Sequence, residues 1–296
     1  MATLIGKLFN GYHYLFVEIS DPRTIQWPLI GKPYLGLGLL ALYLLFVMKW
    51  GPNWMEKRKA FNLERILIAY NALQVILCLY VFVTGVKIWS TYKLICEPTD
   101  FSNSESGLKA AKIVYCYFLL KVFDLLDTVF FVLRKKFNQV SFLHVYHHTG
   151  MVILTWAATT YFPGGHGTMV GLLNSFVHAV MYSYYLLTVA YPNLKGSLWW
   201  KKYITQLQIL QFLIMVVHMS CIVFIPDCGY PRWTSAVFLP QNLFMLILFV
   251  DFYIKTYIRK PKTETKKENV EKKIENTEMR RLIESRHVKE NLNSRS

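Results

Sequence analysis

The chain has 296 residues, of which 54% are apolar, and a formal net charge of +15. A soluble domain seldom combines so apolar a composition with so large a charge, whereas a membrane protein with basic flanking segments has both. The composition therefore argues against a soluble enzyme. Because the charge flanks apolar stretches and no recognisable recognition module is present, it also argues against a nucleic-acid-binding protein.

Seven stretches are apolar and long enough to cross a bilayer, which takes about 20 residues of α-helix. They are residues 33–49, 66–88, 112–133, 144–162, 167–190, 203–225 and 234–257. The sequence thus predicts an all-α integral membrane domain, residues 33–258, after a short N-terminal segment, residues 1–32. The basic segment 259–296 has few aromatic residues, which is typical of a disordered or weakly helical tail that is able to lie on anionic lipid.

Lys and Arg residues are distributed unequally between the two sides of this arrangement. With seven spans, 24 of the 33 Lys and Arg residues fall on the side of the C-terminus and eight on the side of the N-terminus. Cytosolic loops are enriched in Lys and Arg. We therefore expect the C-terminus in the cytosol and the N-terminus in the lumen or outside the cell.

Two of the five cysteines, Cys96 and Cys228, fall in different loops on the expected lumenal side. That side is oxidising, so the two thiols are able to form a disulfide, and two free thiols are the alternative. Cys78, Cys116 and Cys221 lie within predicted spans.

The third predicted span carries polar side chains within an arc of about 120° on a helix: Lys121, Asp124, Asp127 and Thr128. Ionisable groups are costly inside a bilayer, so each needs a partner or a function. Lys121 and Asp124 are three residues apart and are able to pair. The pattern is compatible with a reactive site and with an ion pair that only holds helices together.

The fourth predicted span begins with the run H-x-x-H-H, formed by His144, His147 and His148. The spacings of three and four residues place all three imidazoles on one face of a helix. Near neutral pH, histidine acts as a base, a nucleophile or a metal ligand. Three histidines on one face of a membrane helix indicate such chemistry more than they indicate packing.

The next two predicted spans also have polar faces. On the fifth, polar and aromatic residues share an arc of about 100°: Asn174, His178, Met181, Tyr182 and Tyr185. The two tyrosines are also compatible with interfacial positions. On the sixth, polar residues fall along one side, where hydrogen bonds between helices are an alternative explanation: Thr205, Gln208, Gln211 and His218.

With the expected orientation, these polar faces converge towards the cytosolic side of a chamber whose deep end is apolar, which suits an amphiphile with a charged head. One interpretation is acyl transfer through histidine, with basic residues holding a polyphosphate carrier such as coenzyme A: Arg134, Lys135, Lys201 and Lys202. The other is a diiron oxidoreductase, since H-x-x-H-H boxes are typical of membrane desaturases. That chemistry needs several boxes, and this sequence has one.

Taken together and in this order, the motifs resemble those of the very-long-chain fatty acid elongases of the endoplasmic reticulum. The resemblance covers most of residues 20–260 and includes H-x-x-H-H at residues 144–148, N-x-x-H-x-x-M-Y-x-Y-Y at 174–185 and T-Q-L-Q-x-x-Q at 205–211. The family motif K-x-x-E-x-x-D-T is present at residues 121–128, with Asp124 in the place of the glutamate.

The resemblance implies a membrane 3-oxoacyl-CoA synthase that condenses a long-chain acyl-CoA with malonyl-CoA and releases carbon dioxide and coenzyme A. It implies seven transmembrane helices, six of them forming a barrel around a closed acyl tunnel, in the membrane of the endoplasmic reticulum. No metal or nucleotide cofactor is implied. Implied partners are the two substrates, membrane lipid, and the reductases and dehydratase of the elongation cycle. A homodimer is compatible with it, and nucleic acid is not implied.

The resemblance also implies roles for individual residues. His147 would be acylated by the first substrate, His178 would assist acyl transfer or condensation, and His144 and His148 would orient the site. Asn174 would bind the carbonyl of the thioester or of malonyl-CoA. Substrate binding would further involve residues on several spans and at the cytosolic mouth: Lys121, Asp124, Asp127, Arg134, Tyr182, Tyr185, Lys201, Gln208 and Gln211.

Overall fold

The computed structural model describes residues 2–191, 193, 198–225 and 227–259. Within these ranges, all regular secondary structure is helical. The chain divides into two compact units, Met1–Phe249 and Val250–Ser296. The described part of the second unit ends in a π-helical turn, Ile254–Ile258, and the prediction of a disordered tail falls on residues 260–296, which lie outside the described residues.

Nine α-helices follow one another along the described chain. The first is α1 (Ala2–His13), which precedes α2 (Pro33–Leu45) and α3 (Gly51–Glu56); a π-helical turn joins the last two into one 24-residue segment. Six longer helices follow: α4 (Glu64–Trp89), α5 (Glu105–Leu133), α6 (Phe142–Tyr161), α7 (Thr168–Ala190), α8 (Leu198–Phe224) and α9 (Trp233–Tyr253).

Five helical segments in the described part of the chain are long and apolar enough to cross a membrane: Pro33–Glu56, Glu64–Trp89, Gly165–Ala190, Trp200–Phe224 and Trp233–Ile258. The protein is therefore a multi-pass membrane protein. The other two predicted spans correspond to α5 and α6, which have 29 and 20 residues. These helices have the length to cross a bilayer, but ionisable groups on α5 and the His and Thr residues of α6 lower their hydropathy.

The start of α5 differs from the prediction, because the helix begins at Glu105 instead of residue 112. Ser104 is its N-cap, and its hydroxyl accepts a hydrogen bond from the amide of Gly107 at 3.0 Å. The first two turns carry Lys109 and Lys112. Hydropathy alone therefore does not detect them, although the cap and the acidic Glu105 are typical helix-start signals.

Buried apolar side chains form three clusters in the first unit. One lies where α2, α5 and α6 meet, around Phe118 and Val152. A second joins α4, α5 and α7 around Tyr182, and a third contains Met219 of α8 and Tyr230 of the following loop. Large apolar side chains also cover the outer surface, as expected for helices in contact with lipid.

Three loops are tied together at one end of the bundle. Cys96, between α4 and α5, forms a disulfide with Cys228, between α8 and α9. The amide of His166, between α6 and α7, donates to the carbonyl oxygen of Glu97 at 2.8 Å. Gly165 has φ +61°, and a Cβ there would lie 2.8 Å from the carbonyl carbon of Pro98. Only glycine fits this close approach.

Candidate active site

A buried ion pair lies among the polar residues of α5. Nζ of Lys121 is 2.8 Å from Oδ2 of Asp124, and the side chains are 2% and 1% exposed. Nζ also lies 3.4 Å from Nδ1 of His178 on α7, which is 3.6 Å from the same carboxylate oxygen. Because an ammonium group has no lone pair, Lys121 donates and Nδ1 accepts. His178 is therefore neutral in this arrangement and carries its proton on Nε2.

Tyr182 of α7 links the two carboxylates of α5. Its hydroxyl donates to Oδ2 of Asp127 at 2.6 Å and lies 3.2 Å from Oδ1 of Asp124. Gln74 of α4 donates to the same Oδ1 from 2.7 Å. Asp124 thus accepts from Lys121 and Gln74, with the hydroxyl of Tyr182 close by, and these donors satisfy a carboxylate that would be costly to bury alone.

The contribution of α4 to this network was not predicted from the sequence. Gln74 is fully buried, and its amide also donates to the hydroxyl of Tyr70 at 2.8 Å. The two residues are four apart, so they share one face of α4. Their polar groups within an otherwise apolar span were the signal that could have revealed this face.

The histidines of the H-x-x-H-H run stand at the start of α6. Ser141 caps this helix, and its hydroxyl accepts from the amide of His144 at 3.3 Å. Nε2 of His144 lies 3.0 Å from Oγ1 of Thr128 on α5. The ring of His148 lies 4.2 Å from that of His144 and 5.5 Å from that of His147, centroid to centroid. His144 and His148 are thus held by protein contacts.

An apolar cavity begins at His147 and runs along α6. Ala158 is the last residue of α6 that lines the cavity, and Phe162, directly after the helix, also lines it. From residue 147 to residue 162 the cavity extends over about 22 Å at 1.5 Å per residue. Side chains from all six helices α4 to α9 contribute to the lining.

Two residues that lie near the polar network also line this cavity. His147 lines it, whereas His144, His148 and His178 are not among its lining residues. Tyr117 also lines it. The hydroxyl of Tyr117 donates to Oδ1 of Asn174 at 2.8 Å, and the ammonium of Lys121 lies 4.9 Å from the centroid of its ring. The imidazole of His147 therefore stands between the neighbouring histidine His148 and the apolar cavity.

The remaining predicted substrate-binding residues lie in different surroundings. Arg134 is half-buried at the end of α5, and Lys201 is exposed near the start of α8. Nε2 of Gln208 lies 3.8 Å from Sδ of Met181. Gln211 is buried, and Tyr185 is exposed with its ring 6.1 Å from that of Tyr182.

The described residues contain no group of three or more His, Cys, Asp or Glu side chains arranged to hold a metal ion. His218, which the sequence placed on the polar side of the sixth span, stacks on His166 at 3.7 Å between ring centroids. It therefore does not supplement the histidines of α6. The diiron interpretation lacks a ligand set within the described part of the chain.

The fold and site define a multi-pass membrane protein in which a histidine beside a buried polar network borders an apolar cavity. The profile described as the GNS1/SUR4 family matches residues 28–265. The chain is 42% identical over 261 residues to a very long chain fatty acid elongase of Aedes aegypti, covering 86% of this chain and 72% of that protein. It is 39% identical over 265 residues to human very long chain fatty acid elongase 4, covering 88% and 83%. It is 40% identical over 254 residues to very long chain fatty acid elongase 1 of Mus musculus, covering 84% and 90%. The chain therefore belongs to the very-long-chain fatty acid elongase family.

Proposed function

We propose that the protein carries out the condensation step of fatty acid elongation, in which a long-chain acyl-CoA and malonyl-CoA give 3-oxoacyl-CoA, carbon dioxide and coenzyme A. The observation that carries the proposal is the position of His147 at the polar end of the apolar cavity. A fatty acyl chain in the cavity would present its thioester carbonyl to this imidazole. The names of the relatives, which are very long chain fatty acid elongases, support a function in fatty acid elongation.

In the first step, a ring nitrogen of His147 attacks the thioester carbonyl and the carbon–sulfur bond breaks. The attacking nitrogen is the unprotonated one, so the acyl group is then bound to it, and the proton of the other ring nitrogen passes to the thiolate, which leaves as coenzyme A. Histidine is the better candidate nucleophile, because no cysteine belongs to the site motifs. His144 and His148, held by their contacts with Thr128 and with one another, orient the reacting ring.

In the second step, malonyl-CoA loses carbon dioxide, and the electron pair of the broken carbon–carbon bond forms the enolate of acetyl-CoA. The enolate carbon attacks the acyl carbonyl and displaces His147, which takes up one proton. His178 assists through the proton on its Nε2, which can donate to a carbonyl oxygen as negative charge develops there. Loss of carbon dioxide drives the step, so the proposal includes no metal or nucleotide cofactor.

The same proposal includes the membrane arrangement. The helices α4 to α9 form a six-helix barrel around the cavity, supported by their shared lining of it. The start of α6 faces the cytosol, where Arg134 and Lys201 meet the coenzyme A phosphates, and the N-terminus lies in the lumen of the endoplasmic reticulum. The excess of Lys and Arg on the side of the C-terminus supports this orientation. A reductase and a dehydratase would consume the 3-oxoacyl product.

The test is product analysis with the purified full-length protein, a panel of acyl-CoA substrates and labelled malonyl-CoA. The expected product is a 3-oxoacyl-CoA two carbons longer than the substrate, with one carbon dioxide released per product. A His147→Ala variant should lose the activity, and His13→Ala, at an exposed position outside the membrane helices, is the matched control. Absence of product with every acyl-CoA, or an oxygen-dependent desaturation with bound iron, would overturn the proposal.

A further inference from the structure

A chain of hydrogen bonds reaches the H-x-x-H-H run from outside the six helices that line the cavity. The hydroxyl oxygen of Tyr43 on α2 lies 2.7 Å from Oγ1 of Thr128 on α5. The same Oγ1 lies 3.0 Å from Nε2 of His144 on α6. Tyr43 and Thr128 are buried, with exposed fractions of 7% and 0%. One threonine hydroxyl thus connects three helices.

Thr128 differs in this respect from threonines of the neighbouring helix. The hydroxyls of Thr159 and Thr160 on α6 donate to the carbonyl oxygen four residues earlier, a common arrangement for a threonine inside a helix. Among the described residues, the hydroxyl of Thr128 has Tyr43 and His144 as its partners instead. It is therefore turned away from its own helix and towards the histidine run.

The direction of these hydrogen bonds follows from their protons. The phenol of Tyr43 has one proton, and Oγ1 of Thr128 is its one partner in the part of the chain that the structure describes. A buried proton without an acceptor is costly, above all in a membrane helix. Tyr43 therefore donates to Thr128, and the proton of Thr128 is donated to Nε2 of His144. A neutral His144 accordingly carries its own proton on Nδ1.

Ring contacts connect His144 with the residue proposed as the nucleophile. The ring of His144 lies 4.2 Å from that of His148, centroid to centroid. The rings of His148 and His147 meet edge to face, with centroids 5.5 Å apart and planes at 88°. Side chains in close-packed contact do not turn independently. The orientation of His144 therefore limits that of His148, which in turn limits that of His147.

We propose that Tyr43 is a positioning residue for the condensation reaction, which acts through Thr128 to set the orientation and the tautomer of His144. The inference rests on the proposed function, in which His147 is acylated. Among the described residues, α2 contributes no side chain to the lining of the cavity, so its influence on the reaction runs through this hydrogen bond. A bond that only held α2 against α5 would end at Thr128, and its loss would leave the histidines unchanged.

The first test is the steady-state rate of the purified full-length protein with acyl-CoA and malonyl-CoA. Tyr43→Phe keeps the ring and removes the hydroxyl, and it should lower kcat about tenfold, because small misplacements of reacting groups have effects of this size or larger. The KM values for both substrates should stay within about twofold. Thr128→Val should lower kcat at least as far, whereas Thr128→Ser, which keeps the hydroxyl, should retain the rate. Tyr34→Phe, at an exposed position of α2, is the matched control.

The second test determines the tautomer without turnover. In protein labelled with nitrogen-15 at histidine, long-range proton–nitrogen spectra distinguish a ring nitrogen that carries a proton from one that accepts. His144→Asn identifies the signals of His144. At a pH where imidazole is neutral, the wild type should show an unprotonated Nε2, and Tyr43→Phe should shift this signal towards the protonated form. The wild-type measurement needs no variant, so the inference remains testable if Tyr43→Phe does not fold.

A wild-type kcat in Tyr43→Phe, or a proton on Nε2 of His144 in the wild type, would overturn the inference. A lower thermal midpoint of Tyr43→Phe with unchanged His144 signals would also overturn it, because the hydrogen bond would then be structural only. The outcome is separable from that of the proposed function. A wild type that forms no 3-oxoacyl-CoA, yet shows the expected tautomer and its change in Tyr43→Phe, would contradict the condensation chemistry and leave the hydrogen-bonded chain standing. Equal elongation rates of the wild type and Tyr43→Phe would do the reverse.

Discussion

The hydroxyl of Tyr182 donates to Oδ2 of Asp127 at 2.6 Å and thereby joins α7 to the polar face of α5. The same oxygen lies 3.2 Å from Oδ1 of Asp124. One phenol thus stands between two carboxylates that belong to one buried network. Its removal would leave Asp127 without this donor and would allow the two carboxylates to shift relative to His178.

Tyr182→Phe should lower the elongation rate by about tenfold to a hundredfold, since small misplacements of reacting groups have effects of this size. It should also destabilise the protein by about 1 to 3 kcal/mol, as expected when a buried polar group loses its partner. Steady-state rates and thermal unfolding of the purified protein measure both. The matched control is Tyr80→Phe on α4, where Tyr80 is 56% exposed. Equal effects of the two substitutions would contradict the role given to Tyr182.

The Lys121–Asp124 pair predicts a marked asymmetry between single and double substitutions. Lys121→Met leaves a buried carboxylate without its cation, which costs about 3 to 5 kcal/mol. Lys121→Met combined with Asp124→Leu removes both charges and should recover much of that loss. Thermal unfolding of the single and double variants tests this. A double variant as unstable as the single one would show that the pair is not coupled.

Substitutions in the cavity should change the accepted chain length. Ala158 lies 11 residues after His147 on α6, which corresponds to about 16 Å along the helix. Ala158→Phe would fill the cavity at that depth, so products should become shorter while short acyl-CoAs are still elongated. The neighbouring Ala157 is not among the cavity-lining residues, and Ala157→Phe is the matched control. Chromatography of the products by chain length is the measurement, and an unchanged product range for Ala158→Phe would contradict the assignment.

The Cys96–Cys228 disulfide closes a loop with a sequence separation of 132 residues. Removing a disulfide from a protein typically costs about 2 to 5 kcal/mol. Cys96→Ser should therefore lower the thermal midpoint, and a reductant should lower that of the wild type but not that of the variant. Cys221→Ser serves as the control, because Cys221 is a free cysteine. A reduction-dependent shift in electrophoretic mobility that persists in Cys96→Ser would contradict the pairing.

Periodicity in the sequence predicts the faces of individual helices well. The arc of Lys121, Asp124 and Asp127 on α5 and that of Asn174, His178 and Tyr182 on α7 both follow from the helical repeat. The approximate position of each long helix follows from hydropathy in the same way. The start of α5 does not, because the capped first turns are polar.

The rotation of one helix against another cannot be obtained from such patterns. The sequence shows three histidines on one face of α6, but only packing against α5 separates His144, bonded to Thr128, from His147, which faces the cavity. The pairing of Gln74 with Asp124 joins residues 50 positions apart.

Whether His147 carries the acyl group is tested most directly by intact-mass analysis of the full-length protein incubated with acyl-CoA alone. We expect release of one coenzyme A per chain, an added acyl mass that maps to His147, and loss of that mass when malonyl-CoA is added. His147→Ala should show none of these, and Cys116→Ser should behave as the wild type. Release of coenzyme A only after malonyl-CoA is added, or an acyl group on another residue, would contradict the claim.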